Sequence, residues 1–575
     1  MNQPRRWTVT QPHAGASDLA ERLKTSPLVA QILLNRGLSD PQQCSEFLHP
    51  SLKCLHEPAL IPNLTLAADR IARAIRAGEK IVIYGDYDVD GITATAILWH
   101  AIRLLGGMVE YYIPHRIDEG YGLNSEAVAQ LCRAGAALIV TVDCGVTAIE
   151  PAKVARECNV DLIITDHHDL HETLPECCAI VHPRLGGDYP NPHLCGAGVA
   201  FKLAWGIGIA MNGAARVSEP FRAFLMEATA LAALGTIADV VPLVGENRVL
   251  AHFGLSGLKS SKLSGIRALI ASAGLDGQKL DCYHAGFVLA PRLNACGRMG
   301  HAALAVELLT DASESRAIEI AKYLDEQNRA RQSIEKRILE QALAQVAQRK
   351  MDGSNSRAIV LAGEGWHAGV IGIVASRLVD RFHRPAILVA PNDGLGQGSG
   401  RSIAGFHLCH ALDACGKHLE AYGGHEMAAG LKLRMENFEV FRDAFIEYAR
   451  ATIAPESLMP ELFLDGLAEL KHVTESVVNE IKRLGPFGHG NRKPLLCCRN
   501  VELTAPPRRV GKTGDHLQLF VRQGDTRMKC IAFGAANLLD RLTPGIHIDL
   551  AVEPQLNEWN GRRSVELAVK DVQFG

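Results

Sequence analysis

At 575 residues and a formal net charge of −3, the chain is too long for a single hydrophobic core and too nearly neutral to hold nucleic acid by bulk charge. Hydrophobic residues make up 47% and charged residues 21%, a balance that excludes a disordered chain or a fibre. Three or four domains are expected, and any polyanion would have to be met by local basic patches.

Residues 1–60 are cut by Pro27, Pro41, Pro50 and Pro58 into short pieces and read as an N-terminal helical cap with no identifiable chemistry. The first ten residues are polar, which argues against a secretory signal, and the 15 cysteines contain no C-x-x-C pair. Reduced thiols and a cytoplasmic location are therefore expected. Residues 195–211 are strongly apolar but interrupted by Lys202, so they read as a buried helix and no membrane span is expected.

From residue 80 to about 183, apolar β-branched runs at 81–84, 109–113, 138–142 and 162–165 alternate with helical patterns at 93–105, 125–134 and 148–158. Continuous apolar strands alternating with helices indicate a parallel sheet covered on both faces. Residues 196–310 read as mostly helical. Asp311 with Glu314 has the spacing of a capping box and predicts a long charged helix over 315–350, with Ile334, Ile338, Ala342 and Val346 as its apolar stripe. A second α/β unit follows, with strands at 358–361 and 386–390 around a helix at 370–382. Short alternating strands at 517–521, 528–533, 546–552 and 565–569 predict a C-terminal β-barrel of the OB type. The fold class expected is thus multidomain α/β with a terminal β-barrel. Val510-Gly511-Lys512-Thr513 mimics the end of a phosphate-binding loop, but Pro506 stands where its first glycine is required, so no ATP site is implied.

In parallel sheets ligands bind beyond the carboxyl ends of the strands. Here those ends carry Asp86-Tyr87-Asp88-Val89-Asp90-Gly91, then Asp143, then Asp166-His167-His168. One strand-end aspartate is ordinarily a helix cap or turn residue. Three acidic clusters on one sheet edge repel one another and call for cations, and a mixed carboxylate and imidazole set favours Mn²⁺ over Mg²⁺. In the second α/β unit, Gly398-Ser399-Gly400-Arg401 and Gly423-Gly424-His425 are glycine-rich turns in which backbone N–H groups and a guanidinium could meet phosphate.

Asp86-Tyr87-Asp88-Val89-Asp90-Gly91, Asp143, Asp166-His167-His168 and Asp239 within Gly235-Thr236-Ile237-Ala238-Asp239 resemble, in order, the four motifs of the DHH phosphoesterases, and their RecJ branch specifically. The resemblance runs from about residue 60 to the C-terminus. It implies a metal-dependent phosphodiesterase that degrades single-stranded DNA from a 5′ end, with two divalent cations held by Asp88, Asp90, Asp143, His167 and Asp239. Asp143 and Asp239 would be shared ligands, and His168 would stand beside the scissile phosphate as charge stabiliser or proton donor. Related pyrophosphatases carry a histidine where this chain has Tyr84, and Asp86 would compensate. The glycine-rich segments look like a DHHA1 substrate domain, which implies that Ser399, Arg401 and Arg116 hold the 5′-terminal phosphate, with Arg298 and His367 as further phosphate contacts and His425 as a further substrate-binding residue. Arg508, Arg509, Lys512, Arg522, Arg527, Lys529, Trp559, Arg562 and Arg563 would line a single-strand groove on the barrel. Implied partners are single-strand-binding protein and a RecQ-type helicase, with a role in DNA recombination and repair, and the chain is expected to be a monomer. The division expected is 1–60 cap, 61–314 DHH domain, 315–350 bridging helix, 351–458 DHHA1 domain and 459–575 OB-like domain.

Two other readings compete. A small-substrate phosphodiesterase of oligoribonucleotides or cyclic dinucleotides would be shorter than this chain. A catalytically dead scaffold of the same fold would have eroded metal motifs, whereas every carboxylate and both histidines stand here.

Overall fold

The computed structural model describes residues 5–115, 119, 122–214, 216–299, 302–353, 356–559 and 561–574. The chain forms two compact units, one of Glu46–Arg329 with Leu484–Arg492, the other of Met1–Ser45, Ala330–Arg483 and Lys493–Gly575.

The first unit is built on five parallel strands in the order Met108–Tyr112, Lys80–Tyr84, Leu138–Val142, Asp161–Thr165 and Ala179–Val181. Side chains alternate across a strand, and here both faces are apolar. Ile81, Ile83, Leu138, Val140, Val142 and Ile163 enter one core, while Val82, Tyr84, Ile139, Leu162 and Ile164 enter a second on the opposite face. The first core takes the helices Leu64–Ala77, Val89–Leu104, Gly196–Asn212 and Glu219–Ala238, and the second lies on the side of Ser125–Arg133 and Ile149–Glu157. Glu219–Ala238 is long and apolar enough to cross a membrane, but 61% of its apolar window lies inside this core. The strand Ala179–Val181, only three residues long, was not among the expected strands.

In the second unit, five strands run in the order Ala421–Gly424, Ala428–Arg434, Leu395–Arg401, Ala386–Asn392 and Ile359–Ala362, all antiparallel pairs except the last. The glycine-rich segments expected as turns are therefore strands. A seven-stranded sheet over residues 466–574 is closed on itself by the pairing of Leu496–Leu503 with His516–Gln523, which makes a barrel. Residues 511–513 of the false ATP motif lie in the connection between Arg508–Val510 and His516–Gln523.

Two further expectations are corrected. The N-terminal segment is not wholly helical, because Arg6–Val9 is a strand paired in parallel with Glu461–Leu464. The long helix spans Glu314–Gln348, and its cap is Ser313, whose hydroxyl accepts from the Arg316 N–H at 3.3 Å, rather than Asp311. Its first half contributes Ala317, Ile320 and Leu324 to the core of the first unit. Ile338, Ala342 and Val346 are buried in the second.

Candidate metal centre

The parallel register sets the strand ends level, since Tyr84 pairs with Thr141 and Val142 with Thr165. The residues that follow therefore emerge at one edge: Asp86, Asp143 and Asp166 are 1–2% exposed there. Asp143 adopts a left-handed backbone with φ 61°, uncommon for a residue other than glycine. Asp88 caps the helix Val89–Leu104, its Oδ1 accepting from the N–H of Asp90 and Gly91 at 2.9 and 3.1 Å. The ordinary reading of a strand-end aspartate therefore holds for one oxygen of Asp88. Asp90, 1% exposed, takes the first N–H groups of another helix, with Gly196 and Ala197 donating at 2.6 and 2.8 Å.

Asp239 arrives from a different direction, as the C-terminal cap of Glu219–Ala238. A carboxylate is electrostatically disfavoured at a helix C-terminus, so some other charge must account for it. His167 Nε2 lies 3.1 Å from Asp143 Oδ1, 3.6 Å from Asp239 Oδ2 and 3.7 Å from Asp90 Oδ2, yet this buried nitrogen makes no hydrogen bond among the described residues. The potential ligand atoms of Asp86, Asp88 and Asp143, of Asp90, His167 and Asp239, and of Asp143, His167 and His168 each gather within 4.8 Å. Tyr84 takes no part, because its hydroxyl donates to the Gly122 carbonyl at 3.1 Å from within the opposite core.

Two glycines leave room for this crowding. A Cβ on Gly196 would come within 2.6 Å of the Asp143 side chain, and one on Gly235 within 2.6 Å of Asp90 Oδ1. Asp166, absent from the expected site residues, holds the third cluster in place. It accepts from the backbone of Val146, His167 and His168 at 3.0, 2.7 and 3.1 Å, and from the His168 ring at 2.7 Å.

The electrostatics match cations rather than empty space. Burial, then the neighbouring aspartates, push Asp143 well above the usual carboxylate range, and the same causes push Asp239 up to about 8. Burial raises Asp90 as well, against the pull of His167. Burial lowers His167 to about 4, which keeps it neutral and able to act as a ligand. For His168 burial opposes charge, but the Asp166 hydrogen bond and charge prevail and raise it to about 9. This donor set, hard carboxylates with one neutral imidazole, fits a pair of Mn²⁺ or Mg²⁺ ions.

A pH dependence follows. Asp239 keeps its proton in the folded chain up to about pH 8, where the unfolded chain has lost it, so stability falls as pH rises through that value. The stabilisation from protonated His168 is full below the ordinary histidine range and is lost as pH rises through about 9, in the same sense. In EDTA the melting temperature should therefore rise as pH drops from about 9 to about 7, with saturating Mn²⁺ suppressing the trend because ligands must be deprotonated. A flat or opposite trend in calorimetry with EDTA would contradict this electrostatic picture.

In the second unit, Arg401 donates to Ser399 Oγ at 3.2 Å and to the Gly400 carbonyl at 2.7 Å. Both side chains pack on the first turns of the helix Ala368–Phe382, where a Cβ on Gly372 would lie 2.8 Å from Ser399 Oγ and 3.1 Å from Arg401 Nη2. His367 caps that helix, its ring nitrogen accepting from the Gly369 N–H at 3.1 Å, so it has a structural role of its own. His425 is exposed just past the end of the edge strand. Arg116 lies outside the described residues, as do the side chains of Arg298 and Trp559. On the barrel, Arg508, Arg509, Lys512 and Arg562 are exposed, whereas Arg522, Lys529 and Arg563 form ion pairs with Glu502, Glu566 and Glu558, and Arg527 lies over the Phe520 ring.

Residues 80–236 match the DHH family N-terminal domain, 355–451 the DHHA1 domain and 464–571 the RecJ OB domain. The single-stranded-DNA-specific exonuclease RecJ of Bacillus subtilis is 39% identical over 570 residues, 98% of this chain and 70% of that protein. Its counterpart in Escherichia coli is 35% identical over 562 residues, 95% of this chain and 96% of that protein. The crystal structure of RecJ from Thermus thermophilus in complex with Mn²⁺ superposes with a TM-score of 0.84 at 32% identity, covering 99% of this chain and 79% of that one. With its acidic edge, its domains and this likeness over nearly its whole length, the chain belongs to the RecJ family of single-stranded-DNA-specific exonucleases.

Proposed function

We propose that the protein hydrolyses single-stranded DNA from the 5′ end and releases 5′-mononucleotides, with two divalent cations, Mn²⁺ or Mg²⁺, in the centre at the sheet edge. The observation that carries this reading is the gathering of five buried or half-buried carboxylates and His167 at one edge of the parallel sheet. Asp88, Asp90, Asp143, His167 and Asp239 are the proposed ligands, with Asp143 and Asp239 shared and Asp86 adding to the carboxylates around Asp88. Two such ions would lower the pKa of an attacking water and stabilise both the attacking and the leaving oxygen. His168, held cationic by Asp166, presents positive charge, and a proton, to the phosphate being cleaved. Asp90 and Asp88 are kept rigid by helix N-termini, so the site is organised before substrate arrives.

Ser399, Arg401 and His425, with Arg116, Arg298 and His367, are proposed to hold strand phosphates, the terminal one setting the 5′ polarity. The barrel is proposed to track the strand with Arg508, Arg509, Lys512 and Arg562. The proposed division is 1–60, 61–314, 315–350, 351–458 and 459–575, amended in that Arg6–Val9 pairs with Glu461–Leu464. Single-strand-binding protein and a RecQ-type helicase are proposed partners and a monomer the proposed state. The cytoplasm is the proposed location, supported by fifteen cysteines that form no disulfide.

Oligonucleotides labelled at the 5′ or the 3′ end, incubated with Mn²⁺, should lose the 5′ label first as mononucleotide, with no cleavage in EDTA. Binding without loss of either label would instead favour a scaffold. Cleavage confined to the shortest RNAs or cyclic dinucleotides would favour the small-substrate phosphodiesterase.

A further inference from the structure

On the surface of the first unit, Tyr283 and Phe287 are 63% and 73% exposed, and their rings stack with centroids 5.4 Å apart and planes 24° from parallel. Aromatic side chains normally contribute large buried area, so a stacked pair turned to solvent calls for an occupant. The rings are set by a π-helical turn, His284–Leu289, in which the Ala290 N–H reaches back to the Ala285 carbonyl. Such turns are rare and concentrate at functional sites.

The turn is tied to the metal centre from two sides. A Cβ on Gly286 would lie 3.3 Å from Ile237 Cγ2, two residues before Asp239. The helix Ala290–Met299 that continues from the turn meets the first carboxylate loop. There a Cβ on Gly297 would lie 2.5 Å from the Tyr87 carbonyl, and Asn294 Oδ1 accepts from the Val89 N–H at 3.1 Å. The turn that carries the aromatic pair thus packs beside the Asp239 turn, and the helix that continues from it packs on the Asp86–Asp90 loop. Just past Asp239, Val240, β-branched and 61% exposed, is held at φ 61°, a strained conformation of the kind that clusters at functional sites.

We infer that Tyr283 and Phe287 form a stacking platform for an unpaired nucleobase of the strand whose backbone is cut at the neighbouring centre. This rests on the single-strand hydrolysis proposed above. A base is the occupant favoured because that substrate exposes apolar π-faces that a duplex would hide. The acidic Asp281, two residues before Tyr283, suits a base and not a phosphate. Asp281 is itself engaged, accepting from the His284 ring at 2.6 Å.

The test uses the full-length protein with Mn²⁺, comparing wild type with Tyr283→Ala/Phe287→Ala on oligothymidylates that carry one abasic nucleotide at stepped positions. Both side chains are exposed, so melting temperature and its increase with Mn²⁺ should match wild type. KM should rise on the order of tenfold in the double variant, with kcat at saturation largely kept. An abasic nucleotide at one position should raise the wild-type KM similarly and leave the double variant's unchanged, which a merely structural role would not produce. Equal KM values and equal abasic sensitivity, with wild type digesting the strand, would overturn the platform and leave the proposed function standing. A wild type that digests no single strand would overturn both.

Discussion

Replacing Asp143 by asparagine is expected to lower kcat by about 10³-fold or more while raising the melting temperature of the metal-free protein. Loss of the ligand proposed to be shared by the two cations would remove several kcal/mol of transition-state stabilisation, and each 1.36 kcal/mol is about a factor of ten. The opposite effect on stability follows from the same geometry. Asp143 is 2% exposed among Asp86, Asp88, Asp90 and Asp239, and burial with like charge pushes its carboxyl well above the ordinary range. A neutral amide of the same shape escapes that repulsion without having to take up a proton on folding, and asparagine tolerates the φ of 61° that alanine would strain. In a unit this large each kcal/mol recovered moves the midpoint by roughly 2–4 °C. Wild type should gain stability on addition of Mn²⁺ and the variant should gain much less. A variant that melts lower than wild type in EDTA, or that cleaves at nearly the wild-type rate, would refute the assignment of Asp143 as a shared ligand.

That trade-off explains why part of this centre is legible in the sequence and part is not. Asp86, Asp88, Asp90, Asp143 and His167 follow apolar, β-branched strands, so the alternation of strand and helix is enough to bring them to one edge. Asp239 ends a helix instead, and no strand pattern leads to it; its signal is a carboxylate where the helix dipole disfavours one. Gly196 and Gly235 are equally silent, because the demand for a missing Cβ comes from Asp143 and Asp90, side chains far away along the chain. Asp166 stood inside a recognised motif, yet its task, gripping His168 and three backbone N–H groups, depends on loop geometry. The run Gly398-Ser399-Gly400-Arg401 could not be told from a turn by composition, and here the reason lies in packing. Gly396, Gly398 and Gly400 alternate along a strand because Val389, Leu431 and Leu408 fold over the places their side chains would fill. Arg6–Val9 is four residues long and finds its partner at Glu461–Leu464, so nothing local marks it as a strand.

Lys202→Met is expected to destabilise the first unit by about 3–5 kcal/mol, the largest loss of stability foreseen for a residue outside the metal centre. Lys202 and Glu246 are 0% exposed and form an ion pair inside the core. Lys202 also donates to the His56 carbonyl, while Glu246 accepts from the His56 N–H at 2.7 Å and from the Tyr189 hydroxyl. Burial lowers the lysine's pKa, and the carboxylate works against that fall. Removing the lysine alone strands a carboxylate in a medium that cannot solvate it, which is the costly way to break a buried pair. Lys202→Met/Glu246→Leu should recover part of the loss, leaving the Tyr189 hydroxyl and the His56 N–H without their acceptor as the remainder. In urea unfolding, the double variant should therefore lose less than the two single variants summed. A Lys202→Met midpoint equal to wild type, or a double variant worse than that sum, would show that the pair is not coupled in this way. The pair also has a bearing on the metal centre, because Lys202 lies on the helix Gly196–Asn212, whose first N–H groups hold Asp90. A helix that presents its positive end to a destabilised cluster of carboxylates has to be fixed elsewhere along its length, and the ion pair about one and a half turns on supplies that anchor.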